Sequence, residues 1–197
     1  MNSKESKESN ESKTIINKPD YKMTKLNKNS YLFEYEIINN GIFLDRIINL
    51  DFIKLINEIN KRDVFEDFYL EEHDANCATV YILFKHFFND FGMSQKYALL
   101  YVNIEKTENH IIFNTIPSKN PSINNKLISE PGAEPIPISN ITAICDFISP
   151  HHVKIKTTTT FNRSINYSEF IEKLSTTIIS KVFLRTKQFI EKMRINS

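Results

Sequence analysis

The side chains with the most chemical reach in this chain are the pair His151-His152, close in sequence to Cys145, and an acidic run of Asp63, Glu66 and Asp67 followed by Glu71 and Glu72. Two histidines and a thiol could ligate a metal. Neighbouring residues on a strand point to opposite faces, however, and Pro150 places the pair at a turn, so no metal site is expected. Clustered carboxylates can exchange protons, yet these read as a solvated acidic turn. The serines have no His or Asp at a spacing that marks a nucleophile. Three glycines, Gly41, Gly92 and Gly132, cannot build a phosphate-cradling loop or a dinucleotide fingerprint. No Cys-x-x-Cys, His-Glu-x-x-His or EF-hand spacing occurs. The expectation is a protein that is not an enzyme, takes no cofactor and works by binding.

Composition narrows what it binds. The net charge is +1, from 25 Lys+Arg against 24 Asp+Glu, which offers no basic stripe for nucleic acid. The 197 residues are 41% hydrophobic with 15 Phe, enough for one domain with a sizeable core. Cys77 and Cys145 sit among apolar residues and read as buried free thiols of a reducing compartment. Met1-Asn2-Ser3-Lys4-Glu5 carries no apolar signal region and no myristoylation glycine. The apolar runs fall short of the roughly 20 residues that span a bilayer. A cytoplasmic monomer is expected.

The elements that must position a binding site follow in a defined order. Residues 1–18 read as a disordered low-complexity tail with no apolar face, leaving 19–197 as the folded domain. Ser30 to Ile38 has strand character, Asn39-Asn40-Gly41 signals a turn, and Ile42 to Ile48 reads as a second strand. Leu50 to Asn60 switches to helical period, with Asn49 as its cap. Asp63 to Phe68 reads as a short helix or a turn. Phe68 to Glu72 and Thr79 to His86 read as strands around a break at His73-Asp74-Ala75-Asn76. Lys96 to Glu105 and His110 to Ile116 read as strands flanking a hairpin turn at Lys106 to Asn109. Five of the seven prolines fall between Pro117 and Pro137, a long loop of the kind that carries function. Strands resume at Ile138 to Ile148 and Val153 to Phe161.

A long amphipathic helix from Tyr167 to Met193 closes the chain. Tyr167, Ile171, Leu174, Ile178, Val182, Phe189 and Met193 stand three or four residues apart or at multiples of that step. Asn166 with Glu169 reads as a capping box, Ile165 with Phe170 as a staple, and Lys187, Lys192 and Arg194 suit the negative end of the helix dipole. On the strand before it, Val153, Ile155, Thr157, Thr159 and Phe161 share one face, opposite Lys154 and Lys156. The strand Tyr97 to Ile104 is apolar on both faces.

This order resembles the steroidogenic-acute-regulatory-related lipid-transfer (START) domains and their helix-grip superfamily. The resemblance rests on Lys61-Arg62-Asp63-Val64-Phe65-Glu66 after the first helix, and on Thr79-Val80-Tyr81-Ile82-Leu83-Phe84-Lys85 leading to Gln95-Lys96-Tyr97-Ala98-Leu99-Leu100-Tyr101. Ile111-Ile112-Phe113-Asn114-Thr115 before the proline loop completes it. It spans about Tyr21 to Met193. The family's Trp-Asp pair has no counterpart, since the chain has no Trp. The resemblance implies an α+β helix-grip fold, a curved antiparallel sheet wrapped around the C-terminal helix, that binds and transfers a lipid or other hydrophobic small molecule, with transient contact to a membrane surface. The cradle would be lined by Tyr81, Tyr97, Leu99, Tyr101, Phe113 and Phe147 from the sheet. Ile155 and Thr157 would join them, with Phe170, Leu174 and Ile178 from the helix, and Pro117 to Pro137 would be the gate. The alternative is a ligand-free helix-grip interaction module.

Overall fold

A computed structural model describes residues 12–87, 89–118, 132–162 and 169–194, and the side chains of 169–174 lie outside the description. The elements are β1 (Lys13–Lys18), β2 (Tyr21–Asn27), β3 (Ser30–Ile38), α1 (Leu50–Asn60), β4 (Phe65–Glu72), β5 (Cys77–Phe84), β6 (Lys96–Lys106), β7 (His110–Pro117), β8 (Glu134–Pro135), β9 (Ile138–Ser149), β10 (His152–Phe161) and α2 (Glu169–Lys192). They form one sheet in the order β1-β2-β3-β10-β9-β7-β6-β5-β4, antiparallel throughout, with two-residue β8 pairing β6 in parallel. Among the described residues no helix is long and apolar enough to cross a membrane.

Both helices lie on one face of the sheet. Phe52 of α1 meets Phe113 of β7 with ring centroids 6.4 Å apart, and Phe183 of α2 stacks on Phe33 of β3 at 5.0 Å. Ile37, Val80, Val102, Ile104, Val153, Ile155 and Ile190 join them in the main core cluster. Local sequence explains much of this. The Asn49 side chain accepts from Asp51 N at 2.8 Å and starts α1. In β10 the inward residues Val153, Ile155 and Thr157 alternate with exposed Lys154 and Lys156.

Three expectations are corrected. Residues 13–18, taken as part of a disordered tail, form β1, which pairs with β2 and packs Ile16 against the core. Residues 1–11 lie outside the described residues. Ile42 to Ile48 is a 3-10 turn at Leu44–Arg46 instead of a strand. Leu44 N donates to Pro150 O, and the amides of Ile47 and Ile48 turn back to Leu44 O, so a strand partner is not needed. Asp63 to Phe68 divides into a turn and the first residues of β4, since Asp63 and Val64 both donate to Asn60 O. The proposed cap and staple residues Ile165 and Asn166 lie outside the described residues.

Candidate ligand-binding site

The C-terminal half of α2 is packed tightly into the sheet. Phe183 lies between Phe33 and Tyr35, at 5.0 and 5.5 Å. Ile190 and Thr186 are fully buried. The Thr186 hydroxyl donates to Val182 O of its own helix at 2.9 Å, which lets a polar residue face the core without an orphaned proton. Asn60, the last residue of α1, donates to Ile56 O at 2.8 Å and reaches Val182 O and Thr186 Oγ1 at 3.4 Å, tying the two helices together. Asn39 Nδ2 donates to Ile190 O at 2.6 Å and to Met193 O at 2.9 Å, closing carbonyls that a helix end leaves open. Phe189, expected on the buried stripe, is exposed. The stripe runs instead through Thr176, Phe183, Thr186 and Ile190, whose small hydroxyl members allow close approach.

One turn earlier the packing changes. Ile179 stands three residues after Thr176 and four before Phe183, so it shares the sheet-facing side. Yet Ile179 is 38% exposed, whereas Ile190 on the same stripe is 0% exposed. Ser180 beside it is buried, and its hydroxyl finds no hydrogen-bond partner among the described residues. Ile178 faces a satellite cluster of Val64, Phe65 and Val182, to which Ile82 and Phe84 also belong. Phe84 in turn borders a second cluster of Ala98, Leu100 and Ile138, edged by Ile141 and Phe161.

This second cluster ends at a break in the sheet. β7 stops at Pro117, opposite Leu100, and β8 takes up pairing on β6 at Lys96 and Tyr97. Between them lies a pocket of about 140 Å3, bordered by Tyr97 to Leu100, Pro117, Ser118, Pro135, Ile136 and Ile138. Ligand pockets run to roughly 300–1,000 Å3, so this one holds only part of a lipid. The expected gate falls largely outside the described residues, at 119–131.

The residues expected to line the cradle divide between two faces. Phe113, Phe147, Ile155 and Thr157 are on the helix side, with Phe113, Phe147 and Ile155 in the main core cluster, whereas Ile178 of α2 packs in the separate cluster around Val64 and Phe65. Tyr81, Tyr97, Leu99 and Tyr101 are on the opposite side. Strand alternation sends Ala98, Leu100, Val102 and Ile104 inward, and the register sets Leu99 against Tyr81 and Tyr101 against Thr79. Tyr81, Leu83 and Leu99 form their own outer cluster with Tyr97 and Ala133. Tyr101 stacks on His73 at 6.0 Å. Tyr81 and Tyr101 therefore cannot orient a ligand held under α2. The side chains of Phe170 and Leu174 lie outside the described residues. Sequence reasoning missed Phe84, Leu100, Ile138, Ile141, Ile179 and Ser180. Only strand pairing could have found the first four, and the open Ile179 carries no sequence signal.

Two titratable groups of the main core are shifted by burial. Burial raises the Tyr35 phenol well above its ordinary value, with Cys145 adding to the shift. Burial, helped by Asp146, pushes the Cys145 thiol up to about 12. Both are neutral at physiological pH, as their place in the main core requires. His151 and His152 make separate bonds, to Ile42 O at 2.7 Å and to Glu36 at 2.8 Å.

Solved structures share this architecture. Human StAR-related lipid transfer protein 5 matches over 94% of this chain and 89% of its own, at 9% identity and a TM-score of 0.64. A STAR-related lipid transfer protein from Xanthomonas axonopodis matches over 92% and 99%, at 10% identity and a TM-score of 0.64. Human STARD10 matches over 90% and 71%, at 7% identity and the same TM-score. The fold is START-like. No protein-family model and no curated relative matches the chain. The START-like sheet here encloses α2 at Thr186 and Ile190 and leaves Ile179 open to solvent.

Proposed function

We propose that this START-like protein binds a lipid or similar hydrophobic small molecule between the sheet and the N-terminal half of α2, and passes it between membranes. The observation that carries the reading is Ile179, an isoleucine on the sheet-facing side left open to solvent while Thr176, Ser180 and Val182 around it are buried. An apolar ligand would cover it. Each Å2 of apolar surface so removed from water contributes roughly 25 cal/mol. Phe84, Leu100, Ile138, Ile141 and Ile178 would form the wall, and the unpartnered Ser180 hydroxyl would meet the ligand's polar end. The pocket at the break between β7 and β8 would widen on uptake, and no covalent bond would be made or broken. The named lipid-transfer proteins that share the fold support this class of ligand. The free thiols Cys77 and Cys145 support a reducing, cytoplasmic setting.

A second reading is favoured by the filled half of the core, where Phe183 occupies the groove, and by the pocket of only about 140 Å3. It makes the domain a ligand-free interaction module. Native mass spectrometry of the purified protein separates the two. Co-purified lipid, or saturable one-to-one uptake of a fluorescent fatty acid or sterol, supports the carrier. A bare protein that takes up none of these leaves the module in its place.

A further inference from the structure

We propose that the two free edges of the sheet pair with each other in neighbouring copies, so that this protein self-associates head to tail. The sheet is open. β1 stands at one end of the strand order and β4 at the other, and neither outer edge pairs with another strand among the described residues. Their sequences are complementary. β1 reads Lys13-Thr14-Ile15-Ile16-Asn17-Lys18, with a basic residue at each end and two isoleucines between. β4 reads Phe65-Glu66-Asp67-Phe68-Tyr69-Leu70-Glu71-Glu72, with acidic pairs flanking Phe68, Tyr69 and Leu70. β2, behind β1, adds Lys22 and Lys25 and has no acidic residue. β4 has no basic one.

Charge on an edge strand usually guards against pairing. Here it guards selectively. Two β1 edges would set lysines against lysines, and two β4 edges would set carboxylates against carboxylates. A β1 edge against a β4 edge joins opposite charges around an apolar centre. The carboxylates of Glu66, Asp67 and Glu71 and the ammonium groups of Lys13 and Lys22 form no ion pair among the described residues. They are available to a partner, as is the exposed Tyr69 ring. Bulges at Ile15 and Glu66 shorten the flat stretch on each side, so the contact is brief and weak. The two surfaces differ, so the contact is heterologous and extends into short chains or a ring. Nothing in this depends on whether the protein carries a lipid.

Sedimentation of the full chain over a range of concentrations tests it. In low salt the weight-average mass should rise with concentration, and the rise should vanish in high salt. The variants Lys13→Glu/Lys18→Glu and Glu66→Lys/Asp67→Lys/Glu71→Lys should each stay monomeric, because the first then carries acid on both edges and the second a net positive charge on both. Mixed in equal amounts they should associate again, since each then meets an opposite edge. Thermal melts show whether the variants fold, and the neutral Lys13→Ala/Lys18→Ala variant, which should lose most of the association, stands in if one does not. A wild-type protein that stays monomeric at every concentration and salt overturns the proposal. So does a folded pair of variants that will not associate on mixing.

Discussion

Truncating Ile190 and Ile179 to alanine compares two isoleucines on one helix face, eleven residues apart. Ile190 is fully enclosed by the main core. Its replacement leaves a hole in a closely packed cluster, and such changes cost about 2–5 kcal/mol. Ile179 is 38% exposed, so roughly six-tenths of it is covered. Three carbons are lost at about 0.8 kcal/mol per buried methylene, which, scaled by that cover, comes to about 1.5 kcal/mol. No cavity penalty is added, because solvent already reaches the site. For a chain of this size each kcal/mol moves the melting temperature by roughly 2–4 °C. Ile190→Ala should therefore melt several degrees below Ile179→Ala.

Urea denaturation reads the difference directly, with an unchanged slope for both variants. A third variant, Ile179→Asp, adds the functional half of the comparison. Its carboxylate reaches water, so folding should survive, while binding of a fluorescent fatty-acid analogue should be lost. Equal losses of stability at the two positions would mean that α2 is packed along its whole length. Undiminished probe binding by Ile179→Asp would remove the cradle from beneath α2.

Local signals in this chain were legible and pairing-dependent ones were not. Asn49 announces α1 because a cap acts within two residues of itself. β10 announces its inner face because Lys154 and Lys156 can only face water. β6 carries no such label. Tyr97, Leu99 and Tyr101 are as apolar as Ala98, Leu100 and Val102, so alternation gives two faces without saying which meets the helix. The register with β5 decides it, and that is a tertiary fact. In α2 the error runs the other way. Thr186 is buried because its hydroxyl is satisfied on Val182 O, while Phe189, the more apolar residue, is left outside. β1 was missed because six residues ending in lysines look like the charged tail before them, and only pairing with β2 makes them a strand. The START-like order of elements survived all this, since it depends on sequence order more than on faces.

Deleting residues 1–18 should lower the melting temperature by several degrees, because Ile16 leaves the core and β2 becomes an edge. An unchanged transition in a thermal scan would mean β1 contributes no stability. Alkylation of the native protein near pH 8 should label half-buried Cys77 and spare Cys145, whose thiol is buried and raised to about 12. Peptide mapping that finds Cys145 modified without unfolding would contradict that burial. Glu36 should contribute to the acid limb of stability. Its carboxyl is held below the ordinary value chiefly by the hydrogen bond from His152; burial opposes this as the next effect, and the hydrogen bond and charge of Lys154 add to the lowering. A carboxyl whose folded pKa is depressed adds stability above its unfolded value, roughly 4.3, and loses it as pH falls through the lower folded value. Glu36→Gln should thus be less stable than wild type at neutral pH, with the gap closing as the solution is acidified below about pH 4. The side chain is about half exposed, so the effect will be small and should shrink with added salt. Chemical denaturation at a series of pH values measures it, and a gap that stays constant from neutral to acid would show that the pairing of Glu36 with His152 and Lys154 contributes nothing through its charge.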